Sequence, residues 1–207
     1  MSYVLGFFAA DGYITLNKRG ANFWSIQITD KGLLYKIKEC VGAEHKISER
    51  IGKGNHKNLY RLQIGSFEMC NDLRKLGYCE NKTKSLSIPK IPKKYFPDFV
   101  RGYFDGDGNV WVGFLNKKRP KPNLFISSVF TSCSLPFLEV LKNKLKVDGL
   151  MGGSFIKGRG DYYRLSYSMN DALKLYYFMY NDVNPKNNVL FLERKQSIFE
   201  KFLKMRA

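Results

Sequence analysis

The chain has 207 residues, 44% hydrophobic and 15% aromatic, which excludes a disordered polypeptide and allows one large or two small domains with real cores. Its 35 Lys and Arg against 18 Asp and Glu give a formal net charge of +17, an excess that suits a polyanionic partner. The four cysteines, Cys40, Cys70, Cys79 and Cys133, show no CxxC spacing and the two histidines, His45 and His56, lie far from Cys133, a pattern that argues against a zinc site or a disulfide framework and fits the reduced thiols of an intracellular protein. No signal-peptide pattern precedes the first apolar segment and no apolar run reaches membrane-spanning length, so no membrane association is expected. The first helix begins at residue 3, which leaves room for further sequence upstream.

Residues 3–14, YVLGFFAADGYI, read as an apolar helix stopped by Gly12 in the left-handed C-terminal position, with Asp11 in the last turn. A carboxylate there faces the negative end of the helix dipole, unfavourable by roughly 0.3–1 kcal/mol unless a cation lies beside it. Residues 13–18 and 23–29 read as strands joined across Arg19-Gly20-Ala21-Asn22. Trp24, Ile26 and Ile28 make the apolar face of the second strand, and Ser25, Gln27 and Thr29 its hydrogen-bonding face. An amphipathic helix over 33–41 ends at Gly42, and 46–51 with 58–64 form a hairpin that places Arg61 and Gln63 on its polar side. Ser66 then caps a helix that buries Met69, Leu73 and Leu76 and ends at Gly77.

The proline-bearing segment 88–97 can neither continue a helix nor join a central strand, and reads as a linker. Beyond it FVRGYFDGDGNV, residues 99–110, repeats 3–14 without a gap, matching Tyr3 with Phe99, Gly6 with Gly102, Asp11 with Asp107 and Gly12 with Gly108. The cycle follows again: strands over 110–115 and 124–131, a helix over 135–147, a hairpin of 154–157 and 162–169, and a helix over 171–180. A last helix, about 189–205, has no counterpart in the first half. The expected fold is α+β, two pseudo-symmetric αββαββα halves over 1–87 and 98–207 whose antiparallel β-sheet saddles flank a two-helix interface. Gly6 with Ala10, and Gly102 with Gly106, lie four apart and so share one helical face, which lets two helices approach closely. Packed along that face, the helices would bring Asp11 and Asp107 together, where two acids repel unless metal ions neutralise them.

At these residues the sequence resembles the LAGLIDADG homing endonucleases, in the single-chain form with two motifs. Residues 4–12 and 100–108 fill the nine motif positions, and the acid before the final glycine, Asp11 or Asp107, stands where the family has its metal-binding catalytic residue. The resemblance implies a monomer that binds a long, asymmetric duplex DNA target and hydrolyses both strands, leaving short 3′ overhangs. It implies Mg²⁺ as cofactor, with Mn²⁺ able to substitute and Ca²⁺ supporting binding only, and a role in intron or intein mobility. One position departs from the family: where the second motif has Asp105, the first has Ala9. That position is not the metal ligand, so Ala9 makes the halves unequal and need not abolish activity.

Phosphodiester hydrolysis needs a metal to stabilise charge on the phosphate, an activated water and help for the leaving oxygen. Asp11 and Asp107 are the expected metal ligands, with Lys82, Lys195 and Asp30 as secondary catalytic residues and Ser134 and Lys186 as weaker candidates. The uncovered sheet faces, with flanking turns, present Lys18, Arg19, Ser25, Gln27, Thr29, Lys46, Arg50, Arg61 and Gln63 in the first half. Lys117, Arg119, Lys157, Arg159 and Arg164 are their counterparts in the second, and ribbons of this width fit the DNA major groove. Two alternatives use the same scaffold, an RNA maturase and a non-cleaving DNA-binding repressor. A-form RNA has a major groove too narrow for the sheets, and retention of both Asp11 and Asp107 speaks against a repressor.

Overall fold

A computed structural model describes residues 1–116, 118–181, 183 and 189–206. By packing, the chain forms two compact units, Met1–Gly106 and Asp107–Ala207. The first contains α1 (Ser2–Asp11), β1 (Gly12–Leu16), β2 (Asn22–Ile28), α2 (Lys31–Cys40), β3 (Ser48–Arg50), β4 (Leu59–Gly65), α3 (Phe67–Lys75), a 3-10 turn (Lys93–Tyr95) and all but the last residue of α4 (Phe96–Asp107). The second contains β5 (Gly108–Leu115), β6 (Asn123–Ser132), α5 (Leu135–Val147), β7 (Ser154–Lys157), β8 (Tyr163–Ser168), α6 (Met169–Tyr180) and α7 (Glu193–Arg206). The order helix, strand, strand, helix, strand, strand, helix is thus used twice, with α7 added.

Each unit has one antiparallel four-stranded sheet, ordered β1-β2-β4-β3 and β5-β6-β8-β7. The registers correspond: Gly12 opposes Ile26 and Ile26 opposes Leu62, as Gly108 opposes Phe130 and Phe130 opposes Leu165. Those rows are buried, with Ile26, Leu62, Phe130 and Leu165 all fully covered. A fully buried side chain of this size contributes about 1.5–3 kcal/mol. In the first unit Phe8 of α1 meets Trp24 and Tyr78 edge to face, with centroids at 5.9 and 5.8 Å. In the second, Phe137, Leu138, Leu141 and Leu145 of α5 cover the sheet, and Tyr176 of α6 stacks on Phe199 of α7 at 5.1 Å.

Helix α1 buries Tyr3, Val4, Gly6, Phe7, Phe8 and Ala9, as a helix apolar on every side must. Three other helices begin on side-chain caps, each worth about 1 kcal/mol: Asp30 accepts from Leu33 N at 2.8 Å, Ser66 from Met69 N at 3.1 Å and Ser134 from Phe137 N at 3.3 Å.

Several local expectations are corrected. Gly12 is extended, with φ −85° and ψ 156°, because β1 starts on it; a Cβ there would overlap the Phe8 ring, and that crowding is what calls for glycine. Leu76 is exposed, and Cys70 joins Leu73 as the buried face of α3. The last helix begins at Glu193, so Leu190, Phe191 and Leu192 are buried without being helical. Within 88–97, Phe96 and Pro97 already belong to α4, where proline at the first turn removes no helical hydrogen bond. All four cysteines are unpaired. Among the described residues, no helix is long and apolar enough to cross a membrane.

Candidate functional site

The motif helices α1 and α4 meet inside the first unit along their small residues. A Cβ on Gly6 would overlap Phe99 O, one on Gly102 would overlap Tyr3 O, and one on Gly106 would overlap the Ala10 methyl. Backbone therefore touches backbone, as a small-residue stripe permits. One buried polar cluster crosses this surface: the Tyr3 hydroxyl donates to Asp105 Oδ2 at 2.7 Å, and the Arg101 guanidinium lies 5.5 Å from the Tyr3 ring centroid. Arg101 also donates to Asp98 Oδ1 at 2.5 Å. Sequence reasoning missed this cluster. Its signal was present in the repeat, since Tyr3 faces a phenylalanine in the alignment and Asp105 an alanine.

Asp11 is the last residue of α1 and Asp107 the last of α4. Neither helix has a basic residue in its last turn to offset the charge at the helix end. Lys82, 7% exposed, donates from Nζ to Ala9 O at 3.0 Å, with its ammonium 5.6 Å from the Phe8 ring centroid. In the second unit Lys195, 4% exposed and near the start of α7, donates from Nζ to Gly108 O at 2.7 Å. Each lysine thus ends on a main-chain carbonyl within two residues of a motif acid. They arrive by different routes, Lys82 from the loop after α3 and Lys195 from a helix.

The loop carrying Lys82 is anchored by Arg74, which donates to Glu80 Oε1 at 2.5 Å and to Asn22 Oδ1 at 2.6 Å. That hydrogen bond holds the Glu80 carboxyl below its ordinary range. Asn81, next in the chain, takes φ 61°, a left-handed turn that asparagine tolerates, and Lys82 follows. Asp30 and Ser134 are the caps of α2 and α5, and their side-chain oxygens are engaged there. Lys186, like Lys117 of the basic set, lies outside the described residues.

Among the described residues no three His, Cys, Asp or Glu side chains cluster as a metal site. The chemistry nonetheless fits a hard divalent ion: the motif acids offer carboxylate oxygen, and Mg²⁺ ordinarily takes one or two carboxylates and completes its shell with water and phosphate. Beside Asp11 the space is bordered by Gly106, where a Cβ would lie 3.2 Å from Asp11 Oδ2.

On the first sheet, Ser25 opposes both Tyr13 and Gln63, and Arg61 opposes both Gln27 and Ser48, so these side chains share the face away from Ile26 and Leu62. Tyr13 OH donates to Gln27 Oε1 at 3.5 Å. Tyr13 and Ser48 are additions to the expected set, legible from the period of two once Ser25 and Arg61 are placed. Ser25 is fully covered, because it is the shortest side chain between Tyr13 and Gln63. Arg50 shares that face, Thr29 lies just beyond β2, and Lys18, Arg19 and Lys46 are exposed in the connecting turns. In the second unit Arg164 opposes Thr131 and Ile156, and Arg119 and Arg159 lie exposed in turns. Lys157 opposes Tyr163, which gives it the parity of the buried Leu165, and it is exposed at the edge of the sheet.

Comparison with known proteins gives the following. Residues 1–75 match the family described as LAGLIDADG-like domain. An uncharacterized protein of Methanocaldococcus jannaschii is 22% identical over 180 residues, covering 84% of this chain and 63% of its own length. The chain therefore spans less than two thirds of that relative. Among solved structures, the LAGLIDADG meganuclease I-AabMI bound to uncleaved DNA superposes with a TM-score of 0.64 at 16% identity, over 98% of this chain and 88% of that one. Meganuclease I-SmaMI bound to uncleaveable DNA gives 0.67 at 16%, over 99% and 87%. The I-LtrWI LAGLIDADG homing endonuclease bound to target DNA gives 0.62 at 11%, over 99% and 88%. At such identities these likenesses establish the fold. The family match makes residues 1–75, which run from α1 to α3, similar to a LAGLIDADG-like domain, and the motif that opens that stretch recurs at α4.

Proposed function

We propose that the chain is a monomeric, metal-dependent endonuclease that binds a long, asymmetric duplex DNA site and hydrolyses both strands, leaving short 3′ overhangs. The observation that carries this reading is the doubled arrangement of a motif helix ending in an acid with a buried lysine on a neighbouring carbonyl, Asp11 with Lys82 and Asp107 with Lys195. Asp11 and Asp107 would hold Mg²⁺, which when bound supplies charge stabilisation at the phosphate and a more acidic water. Lys82 and Lys195 set positive potential near the motif ends, where charge builds up in the transition state. Their ammonium groups are already fixed on carbonyl oxygens, so little reorganisation is needed as that charge develops. The +17 charge and the outward sheet residues supply affinity and base readout. The reading places the protein inside the cell with the DNA it targets.

The test is a selection on a randomised duplex library with Mg²⁺ and, in parallel, Ca²⁺. Recovery of one long site, cut on both strands with Mg²⁺ and only bound with Ca²⁺, is the expected result. Asp11→Asn and Asp107→Asn should each abolish double-strand cutting while leaving specific binding within a few-fold. A site bound but uncut under both ions would overturn the nuclease reading in favour of a repressor, and binding of intron RNA alone would favour a maturase.

A further inference from the structure

The outward faces of the two sheets differ in chemistry. The first carries Gln27, Arg61, Gln63 and Arg50 around Ser25, with Phe23 as its principal apolar member. The second is built on an aromatic platform. Trp111 is 45% exposed, and a Cβ on Gly113 would lie 2.5 Å from its Cζ2 and 2.7 Å from its Cη2, so the indole is laid along its own strand over the glycine. Phe125, opposite Gly113 in register, has its ring centroid 6.2 Å from that of Trp111. Val129 and Ile156 extend the same face, and Ile156 is 52% exposed. At the positions of Trp111 and Ser127, the first sheet has Thr15 and Phe23 in the corresponding register.

We propose, on the reading that the chain binds duplex DNA, that this platform recognises thymine methyl groups in the major groove, so that the target's two halves are read by different chemistry. The C5-methyl of thymine is the apolar group that base pairs display there. Polar base edges set against an indole and a phenyl ring would lose their water without gaining a partner. Charge complementarity names the occupant: the same β5–β6 hairpin ends in exposed Lys118, Arg119 and Lys121, suited to the phosphates that flank a groove. Arg164, also on this face with Asn109, Ser127, Thr131 and Ser166, donates to Tyr162 OH at 3.4 Å with its guanidinium carbon 5.2 Å from that ring, so hydrogen-bonding side chains border the platform.

The experiment uses the full chain and the site recovered by selection, with deoxyuridine replacing thymidine in one half-site at a time. Removing thymine methyls from the half read by the second unit should weaken binding by about fourfold per methyl, the factor that burial of one such group confers. The same replacement in the other half should change binding less than twofold. Trp111→Ala should abolish the uracil effect in the second half only, and the uracil measurement itself needs no variant. Equal sensitivity of both halves, or a second half-site rich in G·C pairs, would overturn the proposal while leaving the nuclease reading intact. A dimer in solution that Trp111→Lys dissociates would overturn it by assigning the face to a second copy. Absence of duplex binding would overturn both readings.

Discussion

The Tyr3 hydroxyl donates to Asp105 Oδ2 at 2.7 Å between the two motif helices, and the positions that mirror this pair in the repeat, Phe99 and Ala9, carry neither the hydroxyl nor the carboxylate. The two departures from symmetry compensate each other. Asp105 is 1% exposed and Arg101 3%, so removal of the carboxylate changes the balance of a buried charged cluster. Asp105→Ala should cost about 3 kcal/mol of stability and Tyr3→Phe about 1 kcal/mol, with a coupling energy in the double-mutant cycle. Urea denaturation of the four proteins checks this, and a loss below about 0.5 kcal/mol in Asp105→Ala would mean that the cluster adds nothing to the interface.

The glycines of the interface should be intolerant for different reasons. Gly6→Ala and Gly102→Ala push a methyl into main-chain oxygen, which cannot swing aside, and should each cost about 3 kcal/mol or prevent folding. Gly12→Ala meets a side chain, the Phe8 ring, with an extended backbone that alanine accepts. Its penalty should therefore be partly recovered in the double variant with Phe8→Leu. Failure of that rescue, measured by thermal unfolding, would mean that backbone conformation and not the ring sets the requirement.

Lys82→Met and Lys195→Met keep the hydrocarbon stem and remove the ammonium from Ala9 O and Gly108 O. Each should lower the single-turnover cleavage rate by about 10²-fold, the scale of losing one preorganised donor, with DNA affinity changed only a few-fold. Cleavage followed separately on the two strands should show the larger loss on a different strand for each variant. Unchanged rates would leave both lysines as structural ties.

The Arg74–Glu80 pair gives a pH dependence with a defined sign. Its hydrogen bond lowers the Glu80 carboxyl from the ordinary 4.5, so the stabilisation is present above about pH 4.5 and is lost as pH falls through the lower folded value. Glu80→Gln should flatten the acid limb of the stability profile and leave its slope near neutrality unchanged. Urea midpoints between pH 3 and 7 are the measurement, and an acid limb identical to that of the unsubstituted chain would exclude the pair as its source.

Reversing charge on the outward faces, by Arg61→Glu or Arg164→Glu, should weaken DNA binding and reduce its salt slope by about one for each phosphate that the arginine neutralises. Weaker affinity with unchanged slope would assign the arginine to base edges. Titrations at several salt concentrations separate the two.

The repeat, the element order and the cap at Ser66 were legible because they depend on residues close together in sequence. Helix α5 begins and ends where its pattern does, at Leu135 and Val147. The role of Gly12 was not legible, since nothing in Asp-Gly reveals that Phe8 folds back over it. Burial of Ser25 needed the strand register, which sets Tyr13 and Gln63 on either side of it. The apolar run Leu190–Leu192 carries helix-like composition, yet it is buried outside any helix ahead of α7, a choice made by tertiary packing. The tie of Lys82 to Ala9 O spans most of the first unit and depends on the bend at Asn81.

The Tyr3–Asp105 bond also gives the helix pair a direction. An α1 helix set against its own copy would bury a tyrosine hydroxyl opposite Ala9, and an α4 helix set against its own copy would bury Asp105 opposite Phe99. Both like-with-like pairings strand a polar group, and the mixed one satisfies it. The interface is therefore a recognition code: expressed as separate polypeptides, the two motif helices would choose each other over themselves, and a single substitution, Ala9→Asp in α1 or Phe99→Tyr in α4, would reopen a symmetrical partnership.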